Sequence, residues 1–209
     1  MPKSFPPAAS EQSGESIRSV MERKLETTLA AFRNTLELND EASLKEAAGR
    51  IMKAKKIEIY CVYHSGIVAR DFCFQLIRLG IPATYLSDTL MCAASASMLD
   101  RDGLVIAISS SGLTKELIEV GEITKANGAQ LIAITTNRFS PLAKMADTIL
   151  LSAHSGATVD ERWEESRMTQ LLLLDTLCSY IGDRVETGDR EHLHKLQKVL
   201  AMHNVGGQE

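Results

Sequence analysis

The residues of this chain best suited to chemistry fall in one short run, Ser109-Ser110-Ser111-Gly112-Leu113-Thr114, followed by Lys115-Glu116. Serine and threonine hydroxyls donate hydrogen bonds to phosphate oxygens. Gly112 can enter backbone conformations closed to other residues, and it lets a ligand approach the main chain. A continuous apolar run, residues 103–109, precedes the loop, and a helical pattern over 113–127 follows it. The loop therefore lies where a strand hands over to a helix, and the helix start adds free N–H groups and a positive dipole end. Such a loop forms an anion cradle that needs no lysine. The alternative is that the serines merely cap the helix, and spacing alone does not choose between the two.

Weaker candidates surround it. Val62-Tyr63-His64-Ser65-Gly66 follows an earlier β-rich run. Ser65 there occupies the equivalent position and can hold a phosphorylated ligand. His64 can exchange a proton near neutral pH, or it is simply a turn histidine in water. Thr135-Thr136-Asn137-Arg138 can meet ligand hydroxyls, an assignment that ordinary loop chemistry explains equally well. His154-Ser155-Gly156 reads as a turn. The charged run Asp160-Glu161-Arg162-Trp163-Glu164-Glu165 suits the first turn of a helix, where acids complement the dipole. Met91, Met98, Met145 and Met168 read as core filler.

The elements that must position these loops alternate regularly. Residues 1–14 are rich in Pro and Ser and predict a disordered tail. Ile17, Val20, Met21, Leu25, Leu29, Phe32 and Leu36 recur at helical spacing. Asp40 caps a second helix running to about residue 54, with Leu44, Ala47, Ala48 and Ile51 on one face. Strands are predicted over 57–63, 81–86, 103–109, 129–135 and 148–151, with helices between them. Gly80 and Gly128 end two of the helices, and Ser140-Pro141 opens a short one. A long helix spans about 162–181, and a weaker one follows over 190–202. This alternation predicts a three-layer αβα sandwich around a five-stranded parallel, flavodoxin-like sheet. Ligands of such sheets bind beyond the carboxyl ends of the strands, where strand order reverses. The expected organisation is a tail (1–14), N-terminal helices (15–55), a core (56–185) and a C-terminal helix or tail (186–209).

Composition narrows the function classes. With 209 residues and 44% hydrophobic content the chain can bury an ordinary core, and aromatics at 5% make that core aliphatic. A net charge of −4 lacks the electrostatic footprint of a nucleic-acid binder. No apolar run approaches a membrane span, and the first residues do not form a signal peptide. Cys61, Cys73, Cys92 and Cys178 are scattered, which predicts reduced thiols in a cytoplasmic protein. No His/Cys ligand spacing appears, His192 and His194 included. No metal and no cofactor are therefore expected.

Residues 104–136 carry a resemblance to a known family. Val105-Ile106-Ala107-Ile108-Ser109, then Ser111-Gly112 and Thr114-Lys115-Glu116, are similar to the phosphate loop of the sugar isomerase (SIS) family. The spacing onward to Gly128-Ala129, Ile132-Ala133-Ile134-Thr135 and Ser140-Pro141-Leu142-Ala143 also matches. The likeness spans roughly residues 41–183. Within the family the chain most resembles the effector half of RpiR/HexR-type transcriptional regulators, through Ser65-Gly66, Val68-Ala69 and Asp71-Phe72, through Leu79-Gly80-Ile81-Pro82, and through Ser166-Arg167-Met168 leading to Gln170-Leu171 and Leu173-Leu174-Asp175.

The resemblance implies a domain that senses a phosphorylated sugar or sugar acid. It implies ligand contacts by Ser65, Ser109, Ser111 and Thr114, a loop shaped by Ser110 and Gly112, and a homodimer or homotetramer. Two departures stand out. The regulators begin with a helix-turn-helix domain, whereas residues 17–38 read as one long helix, so no specific nucleic-acid binding by this chain alone is expected. Cys61 and Tyr63 stand where the family's first loop has glycines. The other function in the family is aldose–ketose isomerisation, which needs a base. Eight residues before Asp175, where small hexulose-phosphate isomerases resembling this chain place a glutamate, stands Arg167. Arginine cannot act as that base, but it can pair with a ligand carboxylate or phosphate. This favours sensing. Glu164, Glu165 and His64 keep the isomerase alternative open, with Glu165 and His64 the catalytic candidates. A degenerate domain retained for oligomerisation is the third possibility.

Overall fold

The structure is a computed structural model that describes residues 16–62, 65–155 and 159–185, the side chains of 159–165 excepted, together with Lys195, Lys198 and Val199. Five strands form one parallel sheet in the order β2-β1-β3-β4-β5. They are β1 (Lys56–Cys61), β2 (Ala83–Leu86), β3 (Gly103–Ile108), β4 (Gln130–Thr135) and β5 (Thr148–Leu151). This is the doubly wound arrangement expected from the alternation. β1 ends two residues earlier than the β-rich run in the sequence, at Cys61 opposite Ile108, where β3 ends as well. The expected helix at 190–202 and the tail at 1–14 lie outside the described residues, apart from Lys195, Lys198 and Val199.

The central strand shows why the sheet forms. All six residues of β3, Gly-Leu-Val-Ile-Ala-Ile, are buried, the pattern of a strand covered on both faces. Alternation divides its side chains between two cores. Leu104, Ile106 and Ile108 join Ile57, Ile59 and Cys61 of β1 on one side. There they meet α2 (Glu41–Lys53), α3 (Gly66–Arg78) and α7 (Val159–Gly182). Val105 and Ala107 join Tyr60 on the other side, under α4 (Thr89–Ala96), α5 (Lys115–Ala126) and α6 (Pro141–Met145). Helix ends follow the local signals. Asp40 accepts from the Ser43 N–H at 2.7 Å, Ser140 caps α6 with Pro141 behind it, and Gly80 and Gly128 adopt φ of 81° and 77°.

Three features depart from a simple apolar pattern. Glu58 is buried in the middle of β1, where its carboxylate accepts hydrogen bonds from Tyr60, from Ser95 at 2.6 Å and from Lys56 at 2.6 Å. Burial pushes its pKa up most strongly. The hydrogen bonds from Lys56, Ser95 and Tyr60 together outweigh that effect and hold the carboxyl below the usual range. The methionines are mostly not core filler. Met91, Met98 and Met168 are exposed, because eight-residue α4 buries only Cys92 and Ala96 and Met168 lies on the outward side of α7. Only Met145 packs inward, filling the space left by Gly121, where an added Cβ would lie 2.5 Å from its sulfur.

The third departure is α1 (Ile17–Leu38). Of this helix only Ala31 and Thr35 are buried. It docks through polar side chains instead. The Thr35 hydroxyl accepts from Ala153 N–H at 2.9 Å, and the Asn39 amide donates to Leu151 C=O at 2.7 Å and accepts from Leu151 N–H at 2.8 Å.

Candidate functional site

β1 and β3 are neighbours, and their successors leave in opposite directions, β2 to one side and β4 to the other. The carboxyl ends of β1 and β3 therefore mark the topological switch point. Both candidate loops leave from here, the first after Cys61 and the second after Ile108.

The second loop is held as a rigid turn. Gly112 has φ 64°, the left-handed conformation that favours glycine. Its N–H donates to both the carbonyl and the hydroxyl of Ser109, each at 3.1 Å. Glycine is also required by space, since a Cβ would sit 2.5 Å from the Ser140 Cβ and 3.0 Å from the Thr135 Oγ1. The Ser110 carbonyl accepts three bonds from the end of β4 and the loop after it: Thr136 N–H at 2.8 Å, Thr136 hydroxyl at 2.8 Å and Thr135 hydroxyl at 3.0 Å. Thr135 is thus a buttress of the loop, and it accepts from Asn137 N–H as well.

The capping alternative can be examined bond by bond. Ser111 is exposed, and its oxygen accepts from Leu113 N–H at 3.1 Å. Thr114 is the N-cap residue of α5, yet its side chain makes no capping bond. Its hydroxyl instead lies 3.1 Å from that of Ser109. Two hydroxyls thus converge at the start of a helix whose first N–H groups lack intrahelical acceptors. This arrangement can donate several hydrogen bonds to one anion while the positive end of α5 favours its charge. Ser65 repeats the theme. It stands at the N-cap of α3, half-buried, with no side-chain capping bond.

α7 supplies a support that sequence reasoning missed. The buried Ser166 hydroxyl donates to the Ser110 hydroxyl at 3.0 Å and accepts from Gln170 at 3.2 Å. One turn along, buried Thr169 donates to the Ala153 carbonyl at 2.9 Å. The available signal was polar residues at 166, 169 and 170, one face by helical spacing, at the head of a helix otherwise leucine-rich inward. Arg167 follows Ser166 directly and is half-buried, with no ion pair among the described residues. Ser152, fully buried just past β5, donates its backbone N–H to the Thr135 carbonyl at 3.0 Å, and its hydroxyl has no partner among the described residues. His64 and the side chain of Glu165 lie outside the described residues, as does the side chain of Glu164.

Around the first loop, Cys61 is buried, and burial raises its thiol pKa to about 11, so it is an inert neighbour at neutral pH. Gly66 permits close approach there, since a Cβ would meet the Tyr85 hydroxyl at 3.0 Å. A cavity of about 510 Å³ lies at the opposite rim, beside Gly103 and Gln130 where β3 and β4 begin, and is lined by Lys45, Arg50, Lys53 and Arg101. It is remote from the switch point. Lys45 and Arg50 there are already paired with Glu41 and Glu46. Among the described residues no cluster of His, Cys, Asp and Glu can hold a metal ion.

Fold and loop together define a doubly wound α/β domain with a hydroxyl-rich turn at its switch point. The chain belongs to the SIS domain family, whose profile matches residues 50–179. It is 30% identical over 193 residues to an uncharacterized HTH-type transcriptional regulator of Caldanaerobacter subterraneus subsp. tengcongensis, covering 92% of this chain and 68% of the regulator. It is 31% identical over 164 residues to the uncharacterized HTH-type transcriptional regulator YbbH of Bacillus subtilis, covering 78% of this chain and 58% of that protein. Among solved structures it is similar to the Vibrio vulnificus NanR protein complexed with ManNAc-6P, with TM-score 0.82 and 26% identity over 90% of this chain and 70% of that one. The chain thus spans 58% to 70% of the length of these relatives. The likeness to HTH-type transcriptional regulators covers 92% of this chain in the first relative and 78% in the second.

Proposed function

We propose that this chain is a phosphosugar-sensing SIS domain of a regulator of carbohydrate metabolism. The ligand is a sugar phosphate or a phosphorylated sugar acid. Its phosphate sits on the hydroxyls of Ser109, Ser111 and Thr114 and on the amides at the start of α5, with Ser65 reaching it from the neighbouring loop. Ser110 and Gly112 shape the turn, Thr135 buttresses it, and Arg167 takes a second anionic group of the ligand. The observation that carries this reading is the Thr114 hydroxyl. It occupies a capping position without capping and meets the Ser109 hydroxyl at 3.1 Å, at the switch point of the sheet. The NanR complex, in which a related fold holds a sugar phosphate, supports the ligand class. The domain works in the cytoplasm as a homodimer or homotetramer, without nucleic-acid contacts of its own and without a cofactor.

The test is a panel of aldose, ketose and sugar-acid phosphates screened by thermal shift and then by calorimetry. At least one binds saturably and raises the melting temperature. Ser109→Ala and Ser111→Ala each weaken that binding by about 1.5–3 kcal/mol, the worth of a hydrogen bond to a charged group. Unchanged affinity in both variants refutes the assignment. Turnover of a panel member, abolished in Glu165→Gln or His64→Asn, would establish an isomerase instead.

A further inference from the structure

We propose that the cavity at the amino-terminal rim of the sheet is a second anion site, which takes a small molecule carrying two anionic groups. Its volume of about 510 Å³ is ordinary for a small-molecule site. One wall is a face of α2, where Lys45, Gly49 and Lys53 succeed one another at intervals of four. Arg101 comes from the turn before β3, and Gln130 from the start of β4. The whole of β3, about 20 Å at the rise of a strand, separates the cavity from the Ser109 loop. The inference therefore does not rest on the sugar-phosphate reading.

The charges at the cavity do not cancel. Lys45 pairs with Glu41, Arg50 with Glu46, and Asp102 with Lys55, each at 2.6 Å. Lys53 and Arg101 are left over, with no ion pair among the described residues, in a chain of net charge −4. Lys53 also offsets the negative end of α2, in whose last turn it lies. Arg101 has no such duty. Two uncompensated cations match two negative charges on one ligand. Fixed donors stand beside them. The Arg50 side chain is 22% exposed, and its guanidinium is held by bonds to the Thr148 hydroxyl at 2.9 Å and to Glu46. A guanidinium carries five N–H donors, so others remain for a ligand. Half-buried Gln130 has a carboxamide without a partner among the described residues.

Gly49 is an independent observation. Glycine inside a helix is destabilising relative to alanine. Gly49 lies within α2, its φ is not positive, and an added Cβ would meet nothing within 4 Å. Neither backbone nor packing calls for glycine there. What its missing side chain leaves is open space on the cavity wall.

Calorimetry of the full chain with inorganic pyrophosphate and with succinate tests the site. At least one probe binds the parent, and the stronger of the two tells a diphosphate from a dicarboxylate ligand. The double variant Lys53→Gln/Arg101→Gln changes two exposed side chains, keeps the parent's circular dichroism and weakens that binding at least tenfold. The double variant Ser109→Ala/Ser111→Ala leaves it within twofold. Gly49→Leu keeps every charge, melts no lower than the parent, and also weakens binding at least tenfold by filling the cavity. The proposal is overturned if neither probe binds, if binding survives in Lys53→Gln/Arg101→Gln, or if Gly49→Leu binds like the parent. Loss of binding in the serine variant overturns it as well, because the probe then sits at the switch point, and the sugar-phosphate reading is left standing.

Discussion

Replacing Gly112 by alanine separates two costs that the loop imposes, and Gly128 provides the reference. Both glycines have positive φ, 64° and 77°. Alanine at either position therefore carries about 1–2 kcal/mol of left-handed strain. At Gly128 nothing lies within 4 Å of the new Cβ, so strain is the whole effect. At Gly112 the Cβ would lie 2.5 Å from the Ser140 Cβ and 3.0 Å from the Thr135 Oγ1. Ser140 is buried and cannot swing into solvent, and its oxygen accepts from Ala143 N–H at 3.2 Å as the cap of α6. Displacing it sacrifices a cap, about 1 kcal/mol, and overpacks a tight site, about 1–3 kcal/mol. Gly112→Ala should therefore be less stable than Gly128→Ala by about 2–4 kcal/mol. Urea unfolding followed by circular dichroism measures the difference directly, with the m-value unchanged if only the native state is affected. Equal stability of the two variants would show that the loop relaxes freely, and it would remove the case for a rigid turn that presents the Ser109 and Thr114 hydroxyls.

Other perturbations reach different parts of the molecule. Glu58 has a folded pKa below its ordinary 4.5, so its contribution to stability is present above that pH and is lost as pH falls through the folded value. Glu58→Gln should flatten the acid limb of the stability curve, and urea midpoints that fall as steeply as the parent's below pH 4.5 would contradict this. Burial raises the thiol pKa of Cys61 to about 11, of Cys92 and Cys178 to about 12, and of Cys73 above its usual value. The native protein should then resist a disulfide reagent at pH 8 and titrate all four thiols only on unfolding. Rapid reaction of any one of them would refute that. Asn39→Ala strips partners from both the N–H and the C=O of Leu151 and should cost about 2–4 kcal/mol by thermal or urea unfolding. Ser166→Ala removes the donor to Ser110 and should weaken sugar-phosphate binding about tenfold by calorimetry, one hydrogen bond's worth. Full affinity would show that Ser110 needs no support from α7.

The strands were legible where burial is complete. Residues 103–109 form an unbroken apolar run, and β3 lies buried on both faces. Gly112 was legible because a glycine between a strand and a helix signals a backbone other residues cannot adopt. Its second reason, the packing of Ser140 and Thr135 beneath it, comes from segments more than twenty residues away and has no local signature. The same limit applies to Ser109 and Thr114. Sequence could not say whether they cap α5 or remain free to donate, because that depends on how the loop after β4 grips Ser110. Ser166 was quoted only as part of a resemblance, since a serine inside a helix announces no partner 56 residues earlier. Glu58 ran against the expected pattern altogether. A carboxylate mid-strand is tolerated because Lys56 and Tyr60 share its side of β1 and Ser95 meets it from α4. The periodicity of α1 identified a helix correctly. It gave no sign that the apolar row would face away from the core, because the contacts that orient the helix are made by Thr35 and Asn39.

Asn39 has a consequence for how the protein behaves in a crowded solution. Its carboxamide offers Leu151 one donor and one acceptor in the positions a neighbouring backbone would, and Thr35 does the same for the Ala153 amide. The β5 margin thus ends on a counterfeit strand made of two side chains, and a passing extended segment finds those rungs already occupied. The opposite margin, β2, is only four residues long, half-buried except for exposed Thr84. Strand recruitment, the usual first step of β-aggregation, therefore meets occupied rungs at Leu151 and Ala153.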